Sequence, residues 1–178
     1  MIIVTPGHYN GAAGARHPNG FVEYPETREW ARMIYHNIGK ENAMYVAAQT
    51  LPKKVVAINE LCDLNDVKVV LEVHFNAAQN AEGEYVGKGS ETLYYPGSAV
   101  GKAYAEKVQV ALAKHFPPSR GVKEGWYRRR KSSGPLYLLK KTKCPALIIE
   151  PDFIHRADLI RQNQAACCQD IAQVLMEL

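Results

Sequence analysis

The chain has 178 residues, 47% of them apolar and 22% charged, which is the balance of one folded domain with a real core and not of a disordered or collagenous chain. Its net charge of +4 is uneven: between residues 120 and 143 nine Lys and Arg stand against the single acid Glu124, and such a segment attracts polyanions. No apolar stretch approaches the ~20 residues of a membrane span, and the start lacks the basic segment, apolar run and small-residue cleavage site of a signal peptide.

Residues 1–5 read as a first strand that stops at Pro6-Gly7, followed by a loop rich in Gly, Ala and Asn up to about Val22. Pro25 suits the first turn of a helix, in which Trp30, Met33, Ile34 and Ile38 form one apolar face and which Gly39 ends. Residues 44–48 read as a strand. Residues 52–62 read as a short helix with Val55, Ile58 and Cys62 inward. The β-branched run 67–75 is a central strand buried on both faces. A strand over 90–95 precedes a helix over 99–115, with Tyr104, Val108, Ala111 and Leu112 in line. A short helix over 135–141, a buried strand over 145–150 and a terminal helix over 157–178 complete the chain. Strands alternating with helix-period stretches predict an α/β domain: a twisted, mostly parallel sheet with helices on both faces. With no linker or repeat, residues 1–178 are expected to form one domain.

Cys62, Cys144, Cys167 and Cys168 form no CxxC pair. They read as four small apolar core residues, which suits a reducing compartment.

Three polar residues fall where strands end: His8 after the first, His74 at the end of 67–75, and Glu150 at the end of 145–150. In a parallel sheet the carboxyl ends share one edge, and ligands bind there. Glu23 lies on the loop that can close over the same edge. Two imidazoles and a carboxylate are a common ligand set for catalytic zinc, leaving a position for water. A second carboxylate must then move the proton from that water to the leaving group. The two His and two Glu match these four tasks in number.

At these residues the chain resembles the zinc N-acetylmuramoyl-L-alanine amidases found as bacterial cell-division amidases and phage endolysins. The matching pieces are Thr5-Pro6-Gly7-His8, then Glu23 fifteen residues after His8, then His74-Phe75-Asn76-Ala77, Glu91-Thr92-Leu93-Tyr94-Tyr95, and Leu147-Ile148-Ile149-Glu150-Pro151-Asp152-Phe153-Ile154. The resemblance implies zinc held by His8, Glu23 and His74, Glu150 as the catalytic carboxylate, and peptidoglycan as substrate. It also implies a phage or prophage endolysin, made in the cytoplasm without a signal peptide and acting on the wall after the membrane is breached, with no separate wall-binding module.

Two positions stay open. The family often has Ser two residues before the second ligand His, where this chain has Glu72. By strand alternation Glu72 shares a face with His74, either orienting that ligand or forming a salt bridge beside it. Glu26 competes with Glu23 as the carboxylate ligand. The patch Arg128-Arg129-Arg130-Lys131, with Trp126, Tyr127 and Tyr137 nearby, either contacts carboxylates of the substrate, forms a solvated surface, or attracts an anionic envelope. Without a nucleic-acid fold signature, nucleic acid is not expected as a partner. His17 reads as a loop residue. The competing activities are a zinc carboxypeptidase or deacylase on small acylated amino acids, which lacks support from any close His-x-x-Glu pair, and a non-catalytic wall-binding relative, which would have lost one of the four site residues.

Overall fold

The structure is a computed structural model that describes residues 1–127 and 134–178, so Arg128, Arg129, Arg130 and Lys131 lie outside the described residues. In chain order the elements are β1 (Ile2–Pro6), α1 (Glu23–Ile38), β2 (Ala43–Tyr45), α2 (Leu51–Leu64), β3 (Val69–Val73), β4 (Ser90–Tyr94), α3 (Ala99–His115), β5 (Ser119–Glu124), α4 (Tyr137–Lys141), β6 (Ala146–Glu150), a 3-10 turn (Ile154–Arg156) and α5 (Ala157–Met176).

The strands form one sheet in the order β2-β1-β3-β6-β4-β5. β1, β2, β3 and β6 run parallel, whereas β4 is antiparallel to β6 and parallel to β5. Strand residues alternate between two cores, as a side-chain period of two requires. Val4, Leu71, Val73, Leu147 and Ile149 pack with Trp30, Ile34, Val108, Leu112, Ile160 and Ile171 from α1, α3 and α5. On the opposite face Ile3, Val70, Leu93 and Ile148 meet Ile58 of α2 and Leu138 and Leu139 of α4. Burial on both faces explains why β1, β3 and β6 read as nearly continuous apolar runs. Helices on both faces of a mostly parallel sheet are the predicted class. No helix among the described residues is long and apolar enough to cross a membrane.

The elements predicted from the sequence do not include Ser119–Glu124, which is β5, an edge strand. Charged side chains suit an edge, because they discourage further strand pairing, and they hide the alternation that marks a strand. The expectation for the cysteines needs correction: they are not four free thiols. Cys62 near the end of α2 and Cys144 just before β6 form a disulfide, with Cα atoms 6.2 Å apart across 82 residues of sequence. Such bonds persist in oxidising surroundings, not reducing ones. Cys167 and Cys168 are buried and free, as expected.

The reversed direction of β4 matters for the site. β1, β3 and β6 deliver their carboxyl ends to one edge. β4 delivers its beginning there, so Glu91 lies directly across from Glu150.

Candidate active site

The edge is built by close approach of backbone. Gly7 donates its N–H to the Val73 carbonyl at 2.7 Å. A Cβ at position 7 would lie 2.6 Å from the His74 ring and from the Val73 carbonyl oxygen, so only Gly lets β1 leave the sheet beside His74. His8 follows with φ of 61°, and it is the one non-glycine residue with positive φ among the described residues. A non-glycine residue in that region is strained and is held there by its surroundings. Thr27 of α1 helps, donating its hydroxyl to the Gly7 carbonyl at 3.0 Å.

Glu23 opens α1 and is 3% exposed. One carboxylate oxygen meets His8 Nε2 at 2.9 Å and accepts the Ala15 N–H at 2.9 Å. The other meets His74 Nδ1 at 3.0 Å and accepts the Phe75 N–H at 3.1 Å. A Cβ on Gly14 would come within 2.5 Å of both Glu23 Oε2 and the His8 ring. One donor atom from each of His8, Glu23 and His74 falls within 4.8 Å of the others. Two borderline nitrogens and one oxygen on a partly buried, tightly cradled surface fit a divalent cation of the zinc type. Burial alone would raise the Glu23 carboxyl, but the hydrogen bonds and charges of His74 and His8 outweigh it and hold Glu23 well below the usual carboxylate range.

Glu26 is not part of this cluster. It accepts from Arg161 Nε of α5 at 3.1 Å. Glu72 pairs with Lys54 at 2.8 Å and also faces His74 Nε2 at 3.3 Å. Burial would lower the His74 pKa, but carboxylates on both ring nitrogens, Glu72 and Glu23, hold it well above its ordinary value.

Glu150 lines a cavity of about 320 Å³ together with His8, His74, Glu72 and Lys54. Tyr9, Tyr127, Leu136 and Tyr137 form its apolar wall. Among the described residues no hydrogen bond or ion pair holds the Glu150 carboxylate. Burial pushes its pKa up to about 7; His74 and Arg120 oppose this, and the negative charges of Glu91 and Glu23 add to it.

Glu91, opposite Glu150, is 3% exposed and is treated differently. It accepts from Asn76 Nδ2 at 3.0 Å, lies 3.3 Å from Arg120 and pairs with Lys123. Burial alone would raise Glu91, but these partners, Lys123 foremost, keep it below the usual range. Part of the basic segment thus neutralises a buried acid and is not a surface for polyanions. Trp126 is exposed and bonds Glu124, whereas Tyr127 and Tyr137 reach the cavity. His17 stands outside it, edge-on to Tyr85 at 4.2 Å.

Sequence reasoning overlooked Lys54 and gave no role to Glu91, Asn76 or Arg120. A signal existed for Lys54: it lies four residues before Ile58, on the inward stripe of α2, where a lysine is out of place unless paired. Glu91 and Asn76 belong to the quoted motifs, but the antiparallel β4 that brings Glu91 to Glu150 was not legible.

The sequence profile of a family described as N-acetylmuramoyl-L-alanine amidase matches residues 2–176. Among curated proteins, none matches in sequence. Solved structures similar to this fold include an N-acetylmuramoyl-L-alanine amidase from Clostridium difficile 630, with TM-score 0.79 and 18% identity, covering 99% of this chain and 94% of that one. The amidase AmiC2 of Nostoc punctiforme gives TM-score 0.77 and 18% identity over 99% and 94% of the two chains. The catalytic domain of the CD27L endolysin, which targets Clostridium difficile, gives TM-score 0.75 and 23% identity over 99% and 96%.

Proposed function

This chain belongs to the N-acetylmuramoyl-L-alanine amidase family, enzymes that hydrolyse the amide between N-acetylmuramic acid and the L-alanine of the stem peptide in peptidoglycan, and on that premise we propose how it does so: with zinc held by His8, Glu23 and His74, and Glu150 as general acid and base. The observation that carries this reading is the convergence of the three donor atoms within 4.8 Å, on the same sheet edge as a carboxylate that no side chain among the described residues holds.

Zinc bound there supplies Lewis acidity, which makes water a nucleophile near neutral pH and polarises the carbonyl under attack. The chain's own groups do the rest. Glu23 is ionised at neutral pH, and its fixed oxygens and the two imidazoles it touches form a preset donor surface. Glu150 takes the proton of the attacking water on its carboxylate. It returns that proton to the alanine nitrogen, which leaves as an amine because an amide anion is too poor a leaving group. Without the metal the Glu150 pKa stands near 7, well above the usual carboxylate range, and Glu91, kept ionised by Lys123, Asn76 and Arg120, helps to raise it; a carboxyl raised in this way is suited to carrying a proton in both directions. The apolar wall of Tyr9, Tyr127, Leu136 and Tyr137 limits water in the cavity and gives the substrate a surface to rest on.

Residues 1–178 act in this reading as one catalytic unit. The cellular role is that of a phage or prophage lysin, supported by similarity to an endolysin catalytic domain along nearly the whole of both chains. The disulfide suits work at the wall. Mass spectrometry of digested sacculi tests the bond cleaved. Intact stem peptides with a free L-alanine amine are expected; peptides shortened at their carboxyl ends would mark a carboxypeptidase instead.

A further inference from the structure

Lys54 is 1% exposed and Glu72 is 3% exposed. The Lys54 ammonium donates to Glu72 Oε1 at 2.8 Å and to the Pro6 carbonyl. The other oxygen of Glu72 stands 3.3 Å from His74 Nε2. One ammonium therefore grips both the strand end that carries His8 and the carboxylate that braces His74.

Stability does not explain such a pair. Taking two charges out of water is costly, and apolar residues of similar volume are often as stable or more so. Geometry offers another reason. An imidazole has one lone pair to give, and the partner of its second nitrogen decides which nitrogen gives it. Carboxylates stand at both nitrogens of His74, but Glu23 belongs with Nδ1 and His8 to the donor cluster, so Glu72 at Nε2 is the carboxylate left to hold the ring proton while the Nδ1 lone pair points to Glu23 and His8. Partners of this kind orient metal ligands and raise their basicity.

We infer that Lys54 and Glu72 are positioning residues of the metal centre: together they lock His74 in the Nε2–H tautomer, so that Nδ1 is the ligand atom, and they tie that lock to the backbone leading into His8. This rests on the metal-site reading above. A merely structural ion pair would leave the tautomer and the metal affinity indifferent to it.

Two measurements test it. The first needs no change to the pair: ¹⁵N spectra of the histidine rings in the zinc-loaded protein, with His74→Ala identifying the signal. A proton on Nε2 and a metal-shifted Nδ1 are expected; the reverse assignment overturns the inference. The second is zinc affinity of the double variant Lys54→Met/Glu72→Leu, by competition with a chelator. A loss on the order of 10–100-fold, with circular dichroism and melting unchanged, is expected. Affinity within about twofold of the parent protein overturns the inference while leaving the metal site standing. If the unmodified protein binds no zinc, or His74→Ala binds it equally well, the metal reading itself falls. Should the double variant fail to fold, the ring spectra decide alone.

Discussion

Glu23 and Glu150 sit on the same edge of one sheet, beside the same cluster, and the fold treats them in opposite ways. Glu23 is met on both oxygens, by two imidazoles and two backbone N–H groups, and its pKa falls. Glu150 is given no such partner among the described residues, faces the ionised Glu91 of the neighbouring β4, and its pKa rises to about 7. The contrast suits the two jobs proposed for them. A ligand must be fixed and ionised at working pH. A proton carrier must be free to gain and lose its proton near that pH.

The comparison breaks most visibly at Glu23. Glu23→Gln removes the charge from the donor set, so zinc affinity should fall further than the roughly 10–100-fold typical of outer partners. Activity should fall to background, as read by metal analysis after dialysis and by release of soluble muropeptides. Normal zinc content in that variant would take Glu23 out of the donor set.

The second test sharpens Glu150. A base works only when ionised, so kcat/KM should fall about tenfold per pH unit below the Glu150 midpoint. In the metal-free protein, followed by carboxyl titration, that midpoint should lie well above an ordinary carboxylate value, toward 7, and move down in Glu91→Gln, because the charge of Glu91 helps to raise it; bound zinc would lower it. A metal-free midpoint near 4 that is indifferent to Glu91 would contradict the environment described for Glu150.

The smallest effect is on stability. In the metal-free protein Glu150 has a pKa near 7 folded and about 4.5 unfolded. The folded state thus binds the proton more tightly. Glu150 costs nothing below the unfolded value, costs more as pH rises between the two, and costs fully above the folded one. Glu150→Gln should therefore melt higher than the parent at pH 8 and show no gain at pH 4. Glu23 carries the opposite sign. Its folded pKa is depressed, so it stabilises above its unfolded value, and that stability is lost as pH falls. A Glu150→Gln protein that melts lower at pH 8 would mean that the carboxylate is held by something the geometry does not show.

Much of this edge was legible because strands announce their ends. The β-branched run before His74, the apolar run before Glu150 and the Pro-Gly break before His8 place three side chains on one rim by topology alone. Glu23 over Glu26 was not decidable from spacing. Packing favours Glu23 for the proposed donor set, because Arg161 of α5 draws Glu26 away. The remainder depends on contacts between distant segments, which leave little local trace. β5 is an edge strand with charged residues and no apolar alternation. Its pairing with the reversed β4 brings Arg120 and Lys123 to Glu91. Cys62 and Cys144 are joined because α2 packs beside the segment that leads from α4 into β6.

Glu150→Gln, with zinc content and turnover measured on the same sample, probes the proposed division of labour between a bound ligand set and a separate proton carrier. The variant keeps the shape of the side chain and removes its basicity. About one zinc per chain, an unchanged fold and a rate lower by on the order of 10²–10⁴ are expected. Loss of zinc from this variant would make Glu150 a ligand, and near-full activity with zinc bound would contradict its role as the proton carrier.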